Sequence, residues 1–194
     1  MPLILASSSP RRRELLAACG IPFQIIPAGI DEHPWRDEPA AAYVRRLALA
    51  KAEAVAQRHP RAVVLGADTT VTIDGRLLGK PQSVDEARQM LSHLSGNIHE
   101  VLTGVAVLSL ETTGRASAQR ASEVVASRVR MRPFTEATIA WYVATGEPLD
   151  KAGAYAVQGL GAALIEWVEG SYTNVVGLPL TETLALLRRF GVTG

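Results

Sequence analysis

Apolar runs broken by short polar signals predict alternating strands and helices in the first part of this chain. Leu3-Ile4-Leu5-Ala6 is an unbroken apolar run, as suits a strand buried on both faces. Ser7-Ser8-Ser9-Pro10 interrupts it with a helix start. Ser9 is placed to cap free N–H groups, and Pro10 takes the first helical position, where no donor is needed. Leu15, Leu16 and Cys19 form the inward side of that helix, which stops at Gly20. Phe23 to Ile26 reads as a second strand, followed by a loop through Asp31, Glu32 and Pro34. A long helix is expected from Pro39 to Gln57, with Val44, Leu47 and Val55 on its apolar stripe and Lys51 on the same stripe.

Val63 to Ala67 is another buried strand, expected to end at Asp68. Thr70 to Ile73 and Arg76 to Leu78 flank Asp74-Gly75, a strong two-residue hairpin signal. Ser83-Val84-Asp85-Glu86 is a capping box, and the helix after it turns Ala87, Met90, Leu91 and Leu94 inward before Gly96 closes it. Val101 to Leu110 and Glu123 to Arg132 read as long strands joined across Thr112-Thr113-Gly114. In the second, Val125, Val129 and Met131 alternate with Arg128, Arg130 and Arg132. Thr135 opens a short helix carrying Ile139, Tyr142 and Val143. Ala162 to Val168 reads as a strand, and Pro179 leads into a last helix with Leu184, Leu187 and Phe190. The pattern predicts an α/β fold with a mixed, twisted sheet flanked by helices, and the length of residues 1–194 suits one domain or two closely packed lobes.

Composition narrows the function classes. With 47% hydrophobic residues and 20% charged, the chain can bury a core and is not a disordered one. Twenty Lys and Arg against nineteen Asp and Glu leave a formal charge of +1, so a polyanion would have to be held locally. Neither nucleic acid nor an anionic membrane is an expected partner. Ala152 to Ile165, an uncharged stretch of fourteen residues with three glycines, is too short and too Gly-rich to span a bilayer. No signal peptide is expected from the opening residues. One cysteine makes neither an internal disulfide nor a thiolate zinc site, and a reducing cytoplasm is the expected compartment.

Several positions carry candidate chemistry. Arg11, Arg12 and Arg13 crowd the first turn of a helix, where each cation is unfavourable by about 0.3–1 kcal/mol and a bound anion would reverse that sign. A solvated basic turn near Glu14 is the plainer alternative. Lys51 either lays its stem on the core with the ammonium reaching outward or serves a site. Lys80, in Gly79-Lys80-Pro81, is biased toward extended backbone by the proline, and an ordinary turn lysine would look the same. Asp68, at the expected end of a buried strand, must be solvated, paired or metal-bound, or else forms an Asx-type turn. The histidines show no zinc-hydrolase spacing, and neither a Walker loop nor a Gly-x-Ser-x-Gly elbow is present.

In order along the chain stand Leu5-Ala6-Ser7-Ser8-Ser9-Pro10-Arg11-Arg12, Gly66-Ala67-Asp68-Thr69, Gly79-Lys80-Pro81 and Ser95-Gly96. Asp150-Lys151-Ala152-Gly153-Ala154-Tyr155-Ala156-Val157-Gln158-Gly159 follows, then Gly170-Ser171-Tyr172 and Val176-Gly177-Leu178-Pro179-Leu180. Together these blocks resemble the Maf family of nucleotide pyrophosphatases across nearly the whole chain. The resemblance implies a two-lobed fold like that of inosine triphosphate pyrophosphatases, with the site in the interlobe cleft. It implies hydrolysis of a nucleoside triphosphate to monophosphate and pyrophosphate with a divalent cation, Mg²⁺ or Mn²⁺, and a homodimer. By the same resemblance Asp68 is the general base, and Arg11, Arg12, Lys51 and Lys80 hold phosphates. Glu32 joins Asp68 at the metal, and Ser8 and Ser9 offer donors at the helix start.

The resemblance also bears on the base. One branch of the family acts on 7-methyl-GTP and carries tryptophan at the position of Arg11 and glutamate at that of Gln158. Arg11, Thr69 and Gln158 match the other branch, which resembles dTTP/UTP pyrophosphatases. A neutral Gln offers a donor and an acceptor to the imide edge of uracil or thymine. A nucleotide-sensing regulator of cell division without significant turnover remains the alternative, as does a different base preference. Nucleic-acid binding through the Arg128, Arg130 and Arg132 face fits poorly with the near-zero charge and 5% aromatic content.

Overall fold

Strand and helix boundaries follow the hydrophobic pattern closely. The computed structural model describes residues 1–110 and 118–193; the connection expected across Thr112-Thr113-Gly114 lies outside them. Strands β1 (Leu3–Leu5), β2 (Phe23–Ile25), β3 (Val63–Ile73), β4 (Arg76–Leu78), β5 (Ile98–Ser109), β6 (Gln119–Met131) and β7 (Ile165–Glu169) alternate with helices in the first half of the chain. The main helices are α1 (Pro10–Ala17), α2 (Ala40–Ala56), α3 (Val84–Leu94) and α4 (Glu136–Ala144), followed by α5 (Tyr172–Val176) and α6 (Leu180–Arg189). Hydrogen bonds join the strands in the order β2-β1-β3-β5-β6-β7, with β4 on β3. The β1 pairings with β2 and β3 are parallel, and β3–β4 and β6–β7 are antiparallel, so the sheet is mixed as expected.

The described residues fall into two units. The first comprises Met1–Asp68, Thr103–Val125 and Gly177–Gly194. Alternation along its strands divides two cores. Leu3 and Leu5 of β1, with Val63, Leu65 and Ala67 of β3, pack with Leu16 of α1 and Leu186 and Leu187 of α6. Ile4, Ala6 and Val64 face the other way, against Ala48, Ala52, Val55 and Ala56 of α2. Each buried Leu or Ile contributes about 1.5–3 kcal/mol relative to exposure.

Two glycines set how closely α2 lies on the strands. A Cβ at Gly66 would stand 2.2 Å from the Ala48 carbonyl oxygen, and one at Gly104 would stand 2.3 Å from that of Val44. Only glycine permits these backbone approaches. Alanines at 48, 52 and 56 complete the close fit.

The second unit comprises Thr69–Leu102 and Ala126–Val176, around a core of Val71, Leu91, Leu94, Met131, Ile139, Tyr142 and Tyr155. Ser83 Oγ accepts the Glu86 N–H at 3.1 Å, and the expected residues Ala87, Met90, Leu91 and Leu94 are the buried ones of α3. Asp74 and Gly75 take φ of 51° and 74°, the mirror-image turn that the hairpin signal called for.

The structure differs from the pattern in two places. β3 does not end at Asp68; it runs unbroken to Ile73, its far end paired with β4. A paired carboxylate needs no exit to solvent, so Asp68 sits inside the strand and makes no Asx turn there. Ala162 to Leu164 are not strand but the end of a 3-10 helix spanning Gly159–Leu164, and β7 starts only at Ile165. Gly159, at φ 74°, turns the chain, and the Glu147 carboxylate accepts the N–H groups of Leu160 and Gly161 that open the helix. That capping group lies far from Leu160 in sequence.

Candidate active site

Side chains on β3 alternate, so Val64, Gly66 and Asp68 share the face covered by α2. Lys51 stands one position before Ala52, whose backbone the Gly66 contact brings close. Its Nζ donates to Asp68 Oδ1 at 2.6 Å and pairs with Glu32 Oε1 at 2.8 Å. Lys51 is 7% exposed and Asp68 6%, whereas the Glu32 side chain is 52% exposed. One ammonium thus bridges an enclosed carboxylate and an open one.

The loop bearing Glu32 is tied to α2. Tyr43 donates its hydroxyl to the Glu32 carbonyl at 3.0 Å, and Arg46 donates to the His33 carbonyl at 3.2 Å while gripping both Glu38 oxygens at 2.7 Å. Partial burial, then the charges of Asp68 and Glu32, push the Tyr43 phenol up to about 12. Tyr43 therefore remains a hydrogen-bond donor at neutral pH.

Of the three arginines in the first turn of α1, Arg12 turns inward, 9% exposed, while Arg11 is half-buried and Arg13 exposed. Arg12 Nε donates to the Gly177 carbonyl at 2.8 Å, and its Nη1 donates to Ser7 Oγ at 3.3 Å. Burial draws the Arg12 guanidinium below its ordinary value; Asp68 and Glu32 oppose that, and Arg11 adds to it. The helix start is as expected, with Ser9 Oγ accepting from the Arg12 N–H and Pro10 in the first turn. Ser7 is the buried serine of this segment and accepts both Arg12 and the Ser9 N–H, whereas Ser8 is exposed.

Thr69, Lys80 and Gln158 belong to the second unit. Thr69 is half-buried, and Lys80 and Gln158 are exposed. The Gly153 N–H donates to the Gly79 carbonyl at 3.1 Å, joining the Gly79-Lys80-Pro81 block to the Asp150–Gly159 block. A Cβ at Gly153 would meet Val71 Cγ2 at 2.9 Å, so glycine is needed for that junction.

The structure therefore brings Glu32, Lys51 and Asp68 into one cluster and sets Arg12 within the field of both carboxylates. Sequence reading missed Tyr43 and Ser7. Tyr43 was discoverable: Tyr43, Leu47 and Lys51 follow one another at four-residue spacing along one helix. Nothing in the triple serine distinguishes Ser7 from Ser8 except the strand that precedes it.

The chemistry of the donors bears on which cation they would fit. Two carboxylate oxygens converge on a single positive charge, without sulfur or imidazole. Such oxygens suit a hard divalent ion such as Mg²⁺ or Mn²⁺, which is usually held by one or two carboxylates together with substrate phosphates. Among the described residues no group of three or more His, Cys, Asp or Glu gathers at one place, so water or phosphate oxygens would complete the shell of a cation held there.

The family model for Maf-like proteins matches residues 2–190. The chain belongs to the Maf family. A dTTP/UTP pyrophosphatase of Anaeromyxobacter sp. is 55% identical over 189 residues, 97% of this chain and 89% of that protein. Proteins of the same name from Myxococcus xanthus (54%, covering 98% of this chain and 93% of theirs) and Moorella thermoacetica (54%, covering 98% and 95%) are similarly related. A solved dITP/XTP pyrophosphatase from Mycobacterium abscessus aligns over 98% of this chain and 95% of its own, at TM-score 0.45 and 13% identity, a likeness too loose to argue from. No helix of the described residues is long and apolar enough to cross a membrane.

Proposed function

We propose that this Maf protein hydrolyses dTTP and UTP to the monophosphate and pyrophosphate, removing nucleotides in a house-cleaning role. The observation that carries this reading is the Glu32–Lys51–Asp68 cluster, a buried carboxylate and ammonium opening to a half-exposed carboxylate. Relatives above 50% identity named for this activity support the substrate.

Asp68 orients the attacking water and takes its proton as the new O–P bond forms and the α–β phosphoanhydride bond breaks. Lys51 limits the repulsion between Asp68 and an incoming polyanion, then transfers part of its contact to a phosphate oxygen. Arg12, Arg11 and Lys80 carry the remaining phosphate charge, which shifts onto the pyrophosphate as it leaves. Ser8 and Thr69 add hydroxyl donors, and Gln158 pairs with the imide edge of the base. Glu32 and Asp68 would hold the divalent cation. When bound, it supplies charge neutralisation and polarises the phosphoryl oxygens. A cytoplasmic location and a homodimer belong to the same proposal, the first supported by the single cysteine and the second by the family resemblance.

The test is a panel of nucleoside triphosphates with Mg²⁺ or Mn²⁺, scoring pyrophosphate separately from orthophosphate. Pyrophosphate released in step with UMP or dTMP, and stopped by a chelator, is expected. Orthophosphate release would overturn the reaction. Tight binding without turnover would make the chain a nucleotide sensor.

A further inference from the structure

We infer that Glu147 is a positioning residue for base selectivity: with the Tyr142 hydroxyl it clamps the turn that presents Gln158. The inference rests on the reading of Gln158 as the residue that meets the base.

Both oxygens of the carboxylate are engaged. Oε1 accepts the Tyr142 hydroxyl at 2.7 Å and the Gly161 N–H at 2.9 Å, and Oε2 accepts the Leu160 N–H at 3.0 Å. The same Tyr142 oxygen accepts the Ala156 N–H at 3.1 Å. One phenol–carboxylate pair therefore grips the backbone two residues before Gln158 and two and three residues after it. The clamp has a firm root. Tyr142 is fully buried in the core of the second unit, on a helix anchored by Ile139 and Val143.

Between the gripped residues Gln158 is exposed and extended at φ −95°, and Gly159 turns the chain at φ 74°. A Cβ at Gly159 would come within 2.5 Å of Glu147 Oε2, so the carboxylate lies hard against the turn itself. Burial alone would raise the Glu147 carboxyl. The hydrogen bonds from Tyr142, Gly161 and Leu160 outweigh it and hold the group below its ordinary value. An exposed amide selects between a carbonyl and an amino group only if its backbone is fixed, because a misplaced donor loses the contact that discriminates.

The experiment measures kcat/KM for UTP and for CTP, whose bases differ on their pairing edge at the C4 substituent and at N3, donor and acceptor exchanged at both. It uses Glu147→Ala, Glu147→Gln, Tyr142→Phe, Gln158→Ala and the double variant Glu147→Ala/Gln158→Ala. In Glu147→Ala the UTP-to-CTP ratio should fall about tenfold, the scale of one lost discriminating hydrogen bond, with the change in KM rather than kcat. Glu147→Gln, which keeps one acceptor, and Tyr142→Phe, which frees Ala156 and the phenol's hold on Glu147 but leaves the carboxylate its Leu160 and Gly161 contacts, should shift it less and in the same direction. On the Gln158→Ala background, Glu147→Ala should change the ratio no further.

A purely structural Glu147 would lower both substrates together and leave the ratio alone. An unmoved ratio in Glu147→Ala, or in both Glu147→Gln and Tyr142→Phe should the alanine variant not fold, overturns the inference while Gln158→Ala still collapses it. Additive losses in the double variant overturn it as well. A ratio unmoved in Gln158→Ala removes the base-reading role itself, and this inference with it.

Discussion

Lys51 with Asp68 in the first unit, and His99 with Tyr155 in the second, are both enclosed polar pairs. Each is joined by one short contact, 2.6 Å in the first and 2.7 Å in the second. Burial does not tell them apart, since His99 is 2% and Tyr155 5% exposed. Their electrostatic states do. Burial pulls the His99 imidazole down to about 4 and pushes the Tyr155 phenol up, so both are neutral at physiological pH. They form one hydrogen bond and a ring-edge contact with centroids 5.3 Å apart. Lys51 instead joins two carboxylates, one of them open to solvent, with a guanidinium in the same field. A neutral pair stabilises a core and offers a phosphate nothing. A charged cluster with an open member can exchange one of its contacts for one with a ligand's phosphate.

The sharpest way to break this contrast is Asp68→Asn. It should keep the fold and most nucleotide binding while turnover falls about 10²–10⁴-fold, the usual range for a lost general base. Near-normal pyrophosphate release from the purified variant would remove Asp68 from the chemistry. Lys51→Ala comes next, because it leaves Asp68 buried without its partner. Urea denaturation should show a loss of about 3–5 kcal/mol, and turnover should fall alike for every accepted base. Unchanged stability would mean that water already compensates the carboxylate.

The neutral pair should respond to pH rather than to substrate. His99 titrates near 6.5 in the unfolded chain and at about 4 in the folded one. Between these values the unfolded state binds a proton that the folded state refuses, so stability falls as pH drops through that window. The total is on the order of 3 kcal/mol. His99→Phe should flatten that part of the stability profile, with turnover at neutral pH retained. A profile as steep as that of the parent would place the acid sensitivity elsewhere. The smallest effect is expected at Lys80, which is exposed in the second unit. Lys80→Ala should lower kcat/KM roughly tenfold for all bases, since a lysine acts on phosphate as a point charge. A change in the ranking of UTP among nucleotides would contradict that role.

Local signals explain why so much was readable beforehand. Ser9-Pro10, Ser83 to Glu86, Asp74-Gly75 and Thr135 each act within a few residues, and each produced the expected cap or turn. Lys51 on an apolar stripe and Asp68 in a buried run were each ambiguous, and only their contact resolves both. The failures share a cause. Ala162–Leu164 look like strand because their apolar run is short, but Glu147, distant in sequence, caps them into a helix. Asp68 reads as a strand end because its charge interrupts the apolar run, and the compensating charge that keeps it inside the strand comes from α2. Ser7 rather than Ser8 meets Arg12 because the enclosed run that starts in β1 extends through Ser7 and ends there, leaving Ser8 exposed.

The seating of α2 on Gly66 and Gly104 makes position 51 a gauge of fixed span. The backbone of the helix touches the backbone of the strands, so the gap between residue 51 and Asp68 does not widen or narrow with the side chains around it. A cation placed there has to match that length. Lysine spans it with Nζ at 2.6 Å from Asp68, and an arginine would carry its charge past the carboxylate. Drift elsewhere in the alanine-lined core can proceed without detuning the pair. A single methyl group added at Gly66 would lift the helix and detune it at once.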